Sequence, residues 1–207
     1  KEAGKLALAA AEYERIETET KDVAERREAL QLAADLYVDA KETDKAMQVY
    51  RRYVSYFPKP LEQALETRNK IANVLKTRNE TSAYLEELNQ IVMADARAAA
   101  ERTDRTRYLG ASAALILTEP LFAQFTEIKL VKPFDKNLQK KKAALKAAKD
   151  GFEKLLKYEV GDVTSASTYY IAELYFNFNR ALVESERPDD LSALELEQYE
   201  LAIEEQA

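Results

Sequence analysis

The densest run of reactive side chains lies between Lys129 and Lys157, where ten Lys stand against Asp135, Asp150 and Glu153. The chain as a whole has a formal net charge of −6. Lys142, Lys146 and Lys149 recur at helical spacing and share a face; with Lys140 and Lys141 they form a candidate basic patch on a helix over 136–158. Such a patch can dock an acidic partner, an anionic surface or nucleic acid. The plain alternative is a solvated helix face, which is what most charge runs are. From Glu184 to Ala207 nine acids face one Arg. That block can pair with the Lys-rich helix or serve as the polar side of a terminal helix.

Other chemistry is narrowed by composition. The sequence contains no Cys and no His, which removes disulfides, thiolate nucleophiles and Cys-ligated zinc. It also removes the usual general base and the commonest metal ligand. Ser-His-Asp and Cys-His hydrolases are excluded. The neighbouring carboxylates Glu86/Glu87 and Asp189/Asp190 lack a sequence context that would perturb one member, and no calcium-loop spacing is present. Asn79-Glu80-Thr81 matches a glycosylation acceptor, but Thr81 as a helix cap accounts for it. No catalytic, metal or cofactor site is expected, and no small-molecule substrate.

What must position the remaining candidates is helical. Gly and Pro are scarce, 4 and 5 residues, while hydrophobic residues make up 46% of the chain. That mix disfavours a turn-rich β protein. Helices are predicted over 2–19, 22–40, 44–57, 61–77, 82–102, 104–117, 120–131, 136–158, 163–185 and 191–206. Thr43 and Thr81 are expected as caps. Pro58 and Pro60 should separate one helix from the next, Pro120 should open another, and Pro188 should break the long one before Leu191. The longest near-continuous apolar run, Ala111 to Leu117, is too short to span a bilayer.

Segments of the chain echo one another. "ADLYVDAKETDKAMQVYRRYV" (Ala34–Val54) is followed by "ANVLKTRNETSAYLEELNQIV" (Ala72–Val92), and "AELY" at Ala172 repeats "ADLY" at Ala34. Leu30, Ala33, Ala34 and Tyr37 form one helical stripe, and Ala46, Tyr50 and Tyr53 another. Together with Pro58 these residues resemble the tetratricopeptide (TPR) pattern, with Tyr53 where that family prefers Ala. Looser units follow: Ile71, Ala72 and Leu75 with Tyr84, Leu88 and Ile91; then Leu109, Gly110 and Ala113 with Leu121, Phe125, Ile128 and Pro133. Ala148, Phe152 and Leu155 read as a later second helix, and Ile171, Ala172 and Tyr175 as a first helix. Tyr37, Tyr50, Tyr53 and Tyr175 thereby take core places.

The resemblance implies an all-α fold, one α-solenoid of antiparallel helix hairpins with irregular repeats over residues 1–207. It also implies a non-catalytic scaffold that binds a peptide or protein on a concave face. The lining residues would be Gln31, Asp35 and Val38, then Asn69, Asn73 and Lys76, then Tyr169, Glu173 and Phe176. The segment from Phe152 to Pro188 is similar to TPR proteins of the bacterial cell envelope associated with Tol/TonB energy transduction or gliding motility. That likeness implies a periplasmic or envelope-associated protein with envelope machinery as partner, the cytoplasm being the alternative. Absence of Cys suits an oxidising compartment. The chain starts at Lys1, not Met, and Leu194, Leu196, Tyr199 and Ile203 form an apolar stripe without a covering helix, so a piece of a longer protein, or self-association through that stripe, is expected. The competing function is nucleic-acid or anionic-surface binding through the Lys-rich helix, which the acidic net charge makes the weaker reading.

Overall fold

The computed structural model describes residues 2–186 and 192–206. Among them there is no strand. The helices are α1 (Glu2–Glu19), α2 (Val23–Asp39), α3 (Thr43–Tyr56), α4 (Leu61–Thr77), α5 (Thr81–Ala96), α6 (Asp104–Glu127), α7 (Phe134–Leu156), α8 (Gly161–Val183) and α9 (Ala193–Gln206), with a 3-10 turn at Ala99–Glu101. The chain divides into two compact units, Lys1–Ala113 and Ala114–Ala207. In the first, α1 to α5 pack each on the next in sequence; in the second, α7 packs on α8 and α9 rests on α8.

The first unit is built on the small-against-large stripes. Leu30, Ala33, Ala34 and Tyr37 of α2 are buried with Ala46, Tyr50 and Tyr53 of α3. Alanines let the two backbones approach, and the tyrosine rings fill what remains. Polar partners on α1 complete the packing. Tyr37 Oη donates to Glu14 Oε1 at 2.8 Å, and Arg52 reaches the other Glu14 oxygen at 2.6 Å. Ile71, Ala72 and Leu75 of α4 and Leu88 and Ile91 of α5 are buried as well, with Tyr84 half-buried.

The repeated Glu-Thr dipeptide has a backbone explanation. Lys41 and Asn79 take positive φ, 63° and 59°. Glu42 N–H then bonds Tyr37 O at 2.8 Å and Lys41 N–H bonds Val38 O at 2.9 Å; Glu80 to Leu75 (3.0 Å) and Asn79 to Lys76 (3.0 Å) repeat the pair. This is the Schellman closure of a helix, in which the left-handed residue folds two amides back onto the last carbonyls. The same Glu is the N-cap position of the next helix, so α2/α3 and α4/α5 follow with no loop to spare. Thr43 and Thr81 are therefore not caps. They are the first helical residues after Glu42 and Glu80, which make no side-chain cap bond. Asp22, preceding α2, is a true side-chain cap, accepting from Ala24 N–H at 2.7 Å and Glu25 N–H at 3.2 Å.

Three further expectations are corrected. The break expected between 117 and 120 does not occur, because α6 runs through Pro120 without interruption. One missing amide costs a single helical bond, and the surrounding apolar faces hold the helix on both sides of it. Helix α5 also ends earlier, at Ala96, and the chain turns through Ala99 at φ 45°. In the second unit α7 buries Ala148, Phe152 and Leu155, but α8 buries Val163, Ser167, Leu174, Phe178 and Leu182. Ala172 is exposed and Tyr175 is 44% exposed. The "AELY" echo thus lies on the outer face of its helix. Tyr170 fills the core instead, stacked on Phe152 at 4.7 Å and 14°. Pro188, Asp189, Asp190, Leu191 and the side chains of Tyr199 and Ile203 lie outside the described residues; Leu194 is exposed.

Candidate functional site

In the first unit, residues expected on the inner surface converge on a groove. Asp35 and Val38 of α2, Asn73 of α4, and Asp39, Tyr50, Lys70 and Val74 line a volume of about 470 Å³. A neighbouring hollow of about 260 Å³ shares Asn73 and Val74 and adds Thr43, Thr77 and Arg78. The spacing of Asp35 and Val38 on α2, and of Lys70, Asn73 and Val74 on α4, turns these side chains toward the groove. Gln31, Asn69 and Lys76 do not line it. The first two are half-buried, and the Lys76 ammonium lies 6.0 Å from the centre of the Tyr84 ring.

The groove floor carries a coupled set that the sequence pattern does not join. Tyr50 Oη donates to Asp35 Oδ1 at 2.7 Å. Lys70 Nζ approaches Asp35 Oδ1 at 2.6 Å and Oδ2 at 2.9 Å, and sits 5.5 Å from the Tyr50 ring centre. Burial, then the bond to Asp35, pushes the Tyr50 hydroxyl far above the ordinary tyrosine range, so it stays protonated and donates to Asp35. The Asp35–Lys70 pair is half-exposed and contributes about 1 kcal/mol at most. A ligand can displace it cheaply, exposing one acceptor and one donor. Tyr50 was assignable to the core from its stripe, and its apolar body is there; its polar tip is what reaches the groove. The i+15 distance to Asp35 leaves no local signal for that contact.

In the second unit Tyr169 and Phe176 of α8 are 61% and 60% exposed. Glu173 lies between them, half-buried, and receives Asn177 Nδ2 at 3.3 Å. Arg180 sits 5.8 Å from the Phe176 ring centre, and Tyr169 meets Tyr170 edge-on at 5.8 Å. Tyr169 and Phe176 thus stand exposed on one face of α8.

The basic patch is thinner than its letters. Lys146 pairs with Asp150 at 2.6 Å and Lys149 with Glu153 at 3.4 Å. Tyr175 and Glu153 beside its ammonium raise the Lys149 pKa. Lys140 and Lys142 are exposed. Lys141 is a correction: it is 2% exposed, donating to Phe125 O at 3.2 Å and Ile128 O at 2.9 Å. Those carbonyls lie at the C-terminal end of α6, where Phe125 O also accepts Ile128 N–H at 3.3 Å, and an ammonium arriving from α7 meets the negative end of the helix dipole there.

Among the described residues no group of three or more acidic side chains is arranged to hold a metal ion, and no helix is long and apolar enough to cross a membrane. Compared with family models, with curated proteins and with solved structures, the chain matches none.

Proposed function

We propose that the protein is a non-catalytic scaffold of TPR-like hairpins, continuing as an irregular α-solenoid, that binds a peptide or protein segment through the inner faces of its first helices. The observation that carries this reading is the convergence of Asp35, Val38 and Asn73, from two different helices, on one groove. Asn73 is exposed and neither packs the core nor closes a helix, so it offers an amide donor and acceptor to a peptide backbone. The exposed Tyr169 and Phe176 add aromatic anchors of the kind that dominate interface energetics. The same reading places the protein in the bacterial cell envelope, on the likeness of the Phe152–Pro188 segment and the absence of Cys; protease accessibility in permeabilised-envelope cells separates this from the cytoplasm.

Selection of peptides from a random library on the immobilised protein, followed by calorimetry, tests the scaffold reading. Selected peptides should lose affinity to Asn73→Ala and show shallow salt dependence. A steep salt slope, removed by Lys140→Glu with Lys142→Glu, would assign binding to the Lys-rich helix instead, because phosphate or other anionic contacts release counterions.

A further inference from the structure

The most unusual charge in the chain is one that the letters alone put on a surface. Lys141 has three donor protons; two go to the carbonyls of Phe125 and Ile128, and the ammonium rests 4.1 Å from the Phe125 ring centre. Among the described residues no carboxylate lies within ion-pairing distance of it. Burial draws its pKa below the ordinary lysine value. Helix-end dipoles and a ring face offset only some of the cost of a buried ammonium without a counter-charge.

Lys141 also contributes to the wall of a cavity of about 320 Å³ in the second unit. Ile128, Val131 and Ala181 give that cavity apolar walls, and Asn177 and Arg180 bring polar groups to it. Its volume is at the small end of the range for ligand pockets. Among the described lining residues, Lys129, Lys141 and Arg180 are opposed by Glu184 and Glu186, a single excess positive charge. That balance suits a monoanion and penalises a phosphate dianion. Apolar walls next to one buried ammonium select an anion with a short hydrocarbon body.

We propose that this cavity is a binding site for a short aliphatic monocarboxylate, its carboxylate accepting from Lys141 and Arg180 and its hydrocarbon body packed on Ile128, Val131 and Ala181. The carboxylate can belong to a free small acid or to the C-terminus of a peptide. Either source presents the same chemistry.

The test titrates the full chain, carrying ¹³C-labelled lysine, with butyrate, with inorganic phosphate, and with an N-acetylated Ala-Val dipeptide as its free acid and as its amide. Butyrate or the dipeptide acid should shift the Lys141 Cε resonance saturably, and Arg180→Gln, an exposed change that leaves the fold intact, should weaken that response about tenfold. Tighter binding of the dipeptide acid assigns a peptide terminus, and a response to butyrate alone assigns a free acid. Lys141→Met should abolish binding in a chain that still melts cooperatively. The proposal is overturned by the absence of a saturable shift with either carboxylate, by an equal response to phosphate, by binding of the amide, or by a response that Arg180→Gln leaves unchanged.

Discussion

Gly110 and Asp95 are in such close contact that a Cβ on Gly110 would stand 2.7 Å from Asp95 Oδ2 and 2.8 Å from its Cβ. Asp95 cannot give way. Its carboxylate is buried and held by both Arg102 Nε, at 2.9 Å, and Arg102 Nη2, at 2.8 Å. Gly110→Ala should therefore lower stability by about 2 kcal/mol, overpacking outweighing the helix-propensity gain of roughly 1 kcal/mol. Gly4, with nothing within 4 Å of an added Cβ, is the control: Gly4→Ala should leave the denaturant midpoint unchanged or slightly raised. Equal midpoints for both variants would refute the contact.

Tyr37 and Tyr175 occupy the same place in a repeated four-letter string, yet only Tyr37 is interior. Tyr37→Ala should cost about 3 kcal/mol through the cavity it leaves between α2 and α3. Tyr175→Ala should fall within about 0.5 kcal/mol of the parent. Denaturation curves of the two variants side by side decide whether the letters or the burial govern.

Alkaline pH should loosen the first unit through Tyr37. Burial, and then the bond to Glu14, pushes its hydroxyl up to about 12 from an ordinary value near 10. Because the folded-state value is the higher one, the stabilisation is fully present below pH ~10 and is lost as pH rises from about 10 to about 12. Tyr50 is shifted in the same direction and adds to the loss. Tyr37→Phe should flatten the decline by roughly 2 kcal/mol across that window, read as melting temperature against pH. A variant that declines as steeply as the parent would show that Tyr37 does not titrate there.

Tyr53 stands where the TPR pattern prefers Ala, and its hydroxyl is buried with no hydrogen-bond partner among the described residues. Tyr53→Phe removes that unpaired group and keeps the ring that meets Phe57 at 5.7 Å. Stability should be unchanged or up to about 1 kcal/mol higher. A loss above that size would mean that the hydroxyl has a partner after all.

For a peptide selected on the protein, Asn73→Ala in the first unit, or Tyr169→Ala in the second, should weaken binding tenfold or more, about 1.4 kcal/mol. Thermal stability should barely move, since both side chains are exposed. Reversal of Lys140, Lys142 and Lys146 to Glu should have the smaller effect on affinity. Lys141 is left out because a carboxylate against the carbonyls of Phe125 and Ile128 would unfold the α6–α7 contact. If calorimetry finds the order of the two effects reversed, the groove is not the site.

How much of this could be seen in the letters depends on the reach of each interaction. The stripes of α2 and α3 are set by periods of three and four residues, so Ala34, Tyr37 and Tyr50 could be placed before any coordinates. The 42–43 and 80–81 breaks were visible too, but their agent was not: a positive φ at Lys41 or Asn79 belongs to the backbone, and the adjacent Thr drew the attention. Lys141 misled for a different reason. Charge patterning cannot tell which lysine of a run meets the frayed carbonyls of a helix that precedes it by more than ten residues. Three matching letters out of four do not specify which side of α8 faces α7, so Tyr175 is outside; that side is fixed by Phe152 stacking on Tyr170. The groove was half legible. Asp35 and Asn73 followed from the family's lining stripe, whereas Lys70 and the Tyr50 hydroxyl enter through contacts between helices.

The boundary between the two compact units falls inside α6 rather than in a loop. Domain borders ordinarily offer an exposed linker where a chain can be nicked or shortened without harm. Here a cut at that border would leave stubs of about three and about four helical turns, each too short to hold its shape unaided. Limited proteolysis should find no early site between 104 and 127.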